Sequence, residues 1–442
     1  MPDQPAYLNN LGVGLRNRYA RTGDLADLEA AISAFQQAVQ ATPSDSPDWP
    51  AYLNNLGSGL RNRYARTGDF ASLEAAISVY QQALQATIPN SPAQPALLSN
   101  LGSGLHNRYE RTGDLADLEA AISAFQQAVQ ATPSDSPDRP ALLSNLGIGL
   151  HDQYAYTGDL ADLEAAISAF QQAVQAISPD SPAQPILLSN LASLYADQGK
   201  YAQAEEFYQR ALTIREQVLG PEHPDMVATL SNLASLYVNQ GKYAQAEELF
   251  VRALNIYEQQ FGPEHPDMAA TLSNLANLYA DQGKYAQAEE FYQRALTIRE
   301  QVLGPERPDT ATSLNNLAAL YRAQGEYEQA EPLFQRALAI CERVLGAEHP
   351  DTATSLNNLA MLYYGQDKYE QAEPLFQRTL AIYERVLGAE HPDTATSLNN
   401  LAALYQVQGK YEQAGQLLQL HLPNPDANQN KTVSFTQEQQ ES

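Results

Sequence analysis

The sequence predicts an all-α fold, a solenoid of stacked helix–turn–helix units, and three observations carry that expectation. A stretch of 26 residues, Gly23 to Asp48, recurs letter for letter at Gly113 to Asp138. Segments opening at Pro5, Pro50, Pro95, Pro140 and Pro185 follow one another at a spacing of 45 residues. Leu191, Leu233, Leu275, Leu317, Leu359 and Leu401 then follow at a spacing of 42. Self-similarity with a period of about 20–50 residues marks an array whose units bury their apolar faces only against their neighbours. Composition agrees, since Ala, Leu, Gln and Glu dominate and Tyr is the main aromatic.

In the first block the unit reads as two helices. Leu8 to Asp24 forms the first, about one turn longer than its later counterparts, and Leu25 to Ala41 the second. Asp24, with Asp27 three residues on, approximates a capping signal. Gly12 and Gly14 weaken helix propensity and point to close helix packing. The Pro/Ser stretch TPSDSPD links one hairpin to the next.

The second block has the same plan. In the unit Thr310 to Asp351, Leu314, Leu317, Leu320 and Tyr321 lie at helical spacing. Tyr327, Ala330, Phe334, Ala337, Leu338 and Cys341 make a second stripe, with Gly325 as the turn between. Gly346 ends that helix, while Pro350 and Asp351 suit the first turn of the next. Pro332 and Pro374 fall inside second helices, early enough to kink rather than break them. The count is four units of the longer form and six of the shorter, giving about twenty helices. The organisation expected is 1–184, then 185–422, then a polar, Gln-rich, disordered tail at 423–442.

These residues resemble tetratricopeptide repeats. The pattern Leu-x-x-Leu-Gly/Ala-x-x-Tyr, then Gly-x-Tyr-x-x-Ala-x-x-x-Phe/Tyr-x-x-Ala, stands here as Leu314, Leu317, Ala318, Tyr321, Gly325, Tyr327, Ala330, Phe334 and Ala337. The 42-residue block, with LNNLAALY, GKYEQAEPLFQRAL and VLGxEHPD, is similar to kinesin light chain repeats. The 45-residue block, with LGxGLxxRYxRTGDLADLEAAI, resembles repeats that often adjoin a STAND (NB-ARC) module or a CHAT domain. The resemblance spans Pro5 to about Leu422 and implies a right-handed superhelix that binds other proteins. The chain opens within a few residues of its first repeat and has no Gly-x-x-x-x-Gly-Lys-Ser/Thr loop. A self-contained STAND or CHAT enzyme is therefore not expected.

One ladder stands out. Asn10, Asn55, Asn100, Asn145, Asn190, Asn232, Asn274, Asn316, Asn358 and Asn400 all precede the Leu-Gly or Leu-Ala pair. The resemblance implies that Asn at this place faces the inner groove and clamps an extended peptide. A side-chain amide offers donor and acceptor together, so it can also bond a neighbouring helix and set the stacking. By helical spacing, Arg16, Arg61, His106, Asn17, Asn62 and Asn107 share that face in the early block. In the late block it holds Ala319, Arg322, Met361, Tyr364, Ala403 and Gln406. The early section is expected to favour acidic or C-terminal carboxylate peptides, with Arg16 and Arg61 as binding residues. The late section is expected to favour neutral or aromatic peptides. Alternatively, Arg16 and Arg61 pair with nearby acids.

Other chemistry is not expected. A net charge of −26 without a basic stripe argues against nucleic acid. Cys341 is alone, no apolar run approaches about 18 residues, and no leader opens the chain, so it reads as cytoplasmic, without a membrane partner. His223, His265, His349 and His391, with Arg307 at the missing rung, lie one per linker and read as caps, not metal ligands. Glu205, Glu206, Glu247 and Glu248 are surface charges repeated by duplication. No catalytic residue, cofactor or metal is expected. The Asn430 sequon reads as incidental. Both ends look unfinished, with Leu417, Leu418, Leu420 and Leu422 closing the last hairpin, and leave room for end-to-end self-association. The alternative function is a sensor or assembly arm working with a separate CHAT protease or STAND NTPase.

Overall fold

Repetition in the sequence becomes repetition of one hairpin. The computed structural model describes residues 4–88, 91–389 and 391–420, and within them holds twenty α-helices and no strand. The first helices are α1 (Gln4–Thr22), α3 (Trp49–Thr67), α5 (Gln94–Thr112), α7 (Arg139–Thr157) and α9 (Gln184–Asp197), then α11 (Met226–Asn239), α13 (Met268–Asp281), α15 (Pro308–Gln324), α17 (Pro350–Gly365) and α19 (Pro392–Val407). Their partners are α2 (Leu25–Gln40), α4 (Phe70–Ala86), α6 (Leu115–Gln130), α8 (Leu160–Ala176) and α10 (Tyr201–Leu219), then α12 (Tyr243–Phe261), α14 (Tyr285–Ile298), α16 (Tyr327–Val344), α18 (Tyr369–Val386) and α20 (Tyr411–Leu420). A π-helical turn, Arg299–Leu303, extends α14. The first helices of the 45-residue units run 19 residues, a full turn more than the 14 of α9, α11 and α13 but only two or three residues more than α15, α17 and α19, which run 17, 16 and 16. The tail from 423, the Asn430 sequon and Leu422 lie outside the described residues.

Local chemistry fixes the ends. Asp24, Asp114 and Asp159 accept the N–H two residues on and cap α2, α6 and α8. Gly325 takes φ 79° at the end of α15, a left-handed conformation that costs glycine little. Pro332 and Pro374 remove one backbone donor each, but both are exposed, so water can serve the freed carbonyl and α16 and α18 run on unbroken. His223, His265, His349 and His391 each accept, through Nδ1, the N–H two residues ahead, at 3.2, 3.3, 3.1 and 3.0 Å. His349 and His391 are thus N-caps of α17 and α19, while His223 and His265 hold the turns just ahead of α11 and α13, whose N-cap residues are Asp225 and Asp267.

Nine of the ten hairpins are built around one ring, and the tenth has Leu418 at that place. Phe35, Tyr80, Phe125 and Phe170, and later Tyr208, Phe250, Tyr292, Phe334 and Phe376, are all buried on the second helix. Full burial of such a side chain stabilises by about 1.5–3 kcal/mol. In the 45-residue units the ring lies against a glycine: a Cβ at Gly12, Gly57, Gly102 or Gly147 would stand 2.5 to 2.6 Å from it. That is the close packing the glycines imply.

Contacts group the chain into two compact units, Met1–Ile256 and Tyr257–Ser442. The change of repeat type expected near 184 falls inside the first, where α8 packs on α9. Within each unit, successive first helices pack against one another: α1 on α3, α3 on α5, α5 on α7 and α9 on α11, then α13 on α15 and α15 on α17. Successive second helices of the 42-residue type reach each other through long side chains instead. Arg252 holds Glu216 in the first unit, while Arg294, Arg336 and Arg378 hold Glu258, Glu300 and Glu342 in the second. The first helices are therefore the closely spaced layer of each unit, and the face they share is its inner face.

Candidate functional site

The asparagine ladder lies along that layer, and its rungs divide. Asn55 donates to Asn9 Oδ1 at 2.8 Å, Asn100 to Asn54 Oδ1 at 2.8 Å and Asn145 to Ser99 Oγ at 3.1 Å. In the second unit Asn400 donates to Asn357 Oδ1 at 3.0 Å. In each case the acceptor stands one residue before the preceding rung, so these four amides tie one first helix to the last. The bond uses one amide proton and leaves the carbonyl oxygen and the other proton available. Asn190, Asn274, Asn316 and Asn358 are half-buried, Asn10 and Asn232 are exposed, and none of the six makes a side-chain hydrogen bond among the described residues. Asn100 and Ser99 also border a cavity of about 550 Å³ between two linkers, lined further by Pro95, Pro133 and Ala141.

A charged column runs beside the ladder in the first unit. Arg16, Arg61, His106 and His151 recur at 45 residues. His106 Nε2 lies 2.5 Å from Asp152 Oδ2, and His151 Nε2 lies 2.8 Å from Asp197 Oδ2, each aspartate 46 residues on. The same register sets Asn62 against Arg16 and Asn107 against Arg61. An amide stands where the histidines meet a carboxylate, and no carboxylate comes within 4.0 Å of either arginine among the described residues. The Arg16 guanidinium instead sits 5.9 Å from the centre of the Phe35 ring. Every arginine at the homologous place two residues later is paired: Arg18 with Asp27, Arg63 with Glu29 and Asp69, Arg108 with Glu74 and Asp117. The acid pairing expected as the alternative for Arg16 and Arg61 does not occur among the described residues.

The histidines are held toward their charged form. For His106, burial works against the charge, but the hydrogen bond and charge of Asp152, with Glu110 beside it, raise its pKa. For His151 the hydrogen bond that it donates to Asp197 leads, burial opposes it, and the charges of Asp197 and Asp152 add to the rise. Sequence reasoning placed His106 on the inner face but missed His151, Asp152 and Asp197. The recurrence of 45 residues gave His151 as the next member of the column, but the pairing offset of 46 appears only once adjacent first helices are laid side by side.

The inner face of the second unit is close to neutral. Ala319, Met361, Tyr364 and Ala403 are half-buried and Gln406 is exposed. Arg322 is the one cation of that set. It is half-buried, has no carboxylate within 4.0 Å among the described residues, and burial lowers its pKa. Cys341 is buried in the core with Ala311, Leu314 and Ile340, and burial pushes its thiol up. Among the described residues no group of three His, Cys, Asp or Glu side chains could hold a metal ion, and no helix is long and apolar enough to cross a membrane.

Paired helices stacked hairpin on hairpin define the class of helical-repeat proteins. The Tetratricopeptide repeat family model matches six overlapping windows from 155 to 424, and a second model of the same description matches 51–93. The chain belongs to the tetratricopeptide repeat family. It is similar to a putative kinesin light chain of Podosopora anserina with nearly identical TPR-like repeats, at 28% identity over 46% of this chain and 96% of that one, TM-score 0.41. BtubC (BKLC) of P. vanneervenii matches at 24% identity over 61% and 92%, TM-score 0.41. A signal transduction ATPase with numerous domains (STAND) and a tetratricopeptide repeat sensor, from Pyrococcus horikoshii, matches at 14% identity over 88% and 64%, TM-score 0.49. No curated protein matches the chain.

Proposed function

We propose that this chain is a non-enzymatic scaffold that binds extended peptide segments along the inner face of its first helices. The observation that carries the reading is the pair Arg16 and Arg61: two inner-face guanidiniums with no carboxylate within 4.0 Å among the described residues, in a chain of net charge −26. An acidic or C-terminal carboxylate group of a ligand would supply what the protein withholds, and a bidentate guanidinium bond is well suited to it. The ladder amides that retain free polar atoms would read the backbone of the same segment, and the cavity beside Asn100 would receive a side chain. The nearly neutral inner face of the second unit would take neutral or aromatic segments. The test is fluorescence anisotropy with a labelled acidic peptide carrying a free C-terminus, against wild type and an Arg16→Glu, Arg61→Glu variant whose helicity is unchanged. The reading expects at least tenfold weaker binding by the variant, and equal binding would refute it.

A further inference from the structure

The charged column of the first unit changes character along its length. Arg16 and Arg61 hold a permanent charge, whereas the next two members, His106 and His151, can lose theirs near neutral pH. The histidines are bonded across the seams between first helices, His106 to Asp152 of α7 and His151 to Asp197 of α9, each partner 46 residues on. The side chains of Asp152 and Asp197 keep 32% and 39% of their surface exposed, so their charge is felt at the inner face. His106 is also faced by Glu110, 3.9 Å away, and by Tyr109, both on α5 itself. His151 is also faced by Asp152 and Tyr154 of α7. From α3 the register brings Arg61 beside Asn107, one position from His106. Among the described residues α3, α4, α6 and α8, packed on the same helices, bring no carboxylate within 4.0 Å of either ring.

We propose that these two seams make the affinity of the first unit's inner face for acidic segments depend on pH, tight on the acid side and weak on the alkaline side. The proposal rests on the inner-face reading of Arg16 and Arg61 and names the regulation of that site. With both histidines protonated, the cations Arg16, Arg61, His106 and His151 outnumber the carboxylates of Asp152 and Asp197 by two. With both neutral, the two aspartates balance the two arginines. A segment with acid groups along the column therefore meets attraction throughout in the first state, and repulsion at its α7–α9 end in the second. Surface charges act over about 8–10 Å at ordinary ionic strength, close to the spacing of about 8–10 Å between packed helices. A segment confined to Arg16 and Arg61 senses the seams little, and one that runs on to α7 senses both. Burial opposes the charge of His106, but the carboxylate contacts raise the pKa of both histidines. Protonation therefore persists above the ordinary value of about 6.5 and is lost as pH rises through the raised values. By the same linkage an acidic segment takes up protons as it binds.

The experiment follows a labelled glutamate-rich peptide by fluorescence anisotropy with the full chain, from about pH 6.5 to about pH 9, a window in which glutamate does not titrate. A peptide of about ten residues spans four first helices when extended. Wild type is expected to bind at least threefold more weakly at the alkaline end. Asp152→Asn, Asp197→Asn removes the seam carboxylates and should bind there at least threefold more tightly than wild type, with no loss across the window. His106→Gln, His151→Gln leaves both carboxylates unbalanced and should bind weakly throughout. Calorimetry in two buffers of unlike ionisation enthalpy should show proton uptake on binding by wild type and none by either variant. A wild-type affinity that stays constant, or a pH dependence that survives His106→Gln, His151→Gln, would overturn the proposal and leave the inner-face reading standing. No binding at any pH would strike down both.

Discussion

Adding one methyl group to Gly57 should destabilise the second hairpin, although alanine is the better helix former. Its Cβ would stand 2.6, 2.8 and 2.9 Å from Cε1, Cζ and Cδ1 of Tyr80. Carbon atoms rest at about 3.5–4.0 Å, so the ring must retreat by about 1 Å. Tyr80 is wholly buried and its hydroxyl bonds Ser58 Oγ at 3.3 Å, which leaves it little room. Overpacking of this kind costs about 1–3 kcal/mol, and the gain in helix propensity returns about 0.5–1 kcal/mol. The expected net loss for Gly57→Ala is therefore roughly 0–2.5 kcal/mol. Gly14→Ala is the control: nothing lies within 4 Å, so propensity alone should stabilise α1 by about 0.5–1 kcal/mol. A repeat array need not unfold as one unit, so amide exchange resolved by helix is the suitable assay, with urea denaturation beside it. Equal behaviour of the two variants would refute the claim that ring-to-glycine contact sets hairpin packing.

Two further outcomes follow from the same geometry. His106 and His151 have raised pKa values, so their contribution to stability is full below the ordinary histidine value of about 6.5 and is lost as pH rises through the raised values. The pKa of His391 is lowered by burial against the weaker pull of Asp393, so its contribution is full above about 6.5 and is lost as pH falls. Exchange protection at the α5–α7 and α7–α9 seams should accordingly fall with rising pH, and that at the start of α19 should fall with acidification. His106→Gln, His151→Gln should abolish only the first trend, and a parallel response at both places would contradict the assignment. Cys341, buried with its thiol pushed up and bonded by Ser355 Oγ at 3.5 Å, should resist thiol reagents until the chain unfolds. Rapid labelling of the native protein would count against the packing of the α16 core.

The hairpins were legible because each helix repeats its apolar stripe at a period that only a helix satisfies, and because Gly and Pro punctuate every unit. The capping of α17 and α19 by His349 and His391 was legible for a related reason: each stands one per linker, immediately before the Pro-Asp that opens the next helix. The inner face was legible in part. Asn55, Asn100, Asn145 and Asn400 do lie along the first helices, but their partners Asn9, Asn54, Ser99 and Asn357 belong to the preceding unit. Contacts between units are set by how one hairpin stacks on the next, and the helical period within a unit does not encode that offset. The same offset hid Asp152 and Asp197, which become partners of His106 and His151 only once adjacent first helices are laid side by side. Arg16 and Arg61 could not be told from surface ion pairs until the neighbours at Asn62 and Asn107 were in place.

We propose that the layer of first helices is the binding face. A photo-crosslinking amino acid placed at Asn62 or Asn107, on that face, and at Gln82 or Gln127, exposed on α4 and α6, tests it most directly in extract of the source cells. Crosslinks to partner proteins from Asn62 and Asn107, but not from Gln82 or Gln127, are the result this account predicts. Crosslinks from Gln82 and Gln127 alone would contradict it and move the function to the second helices.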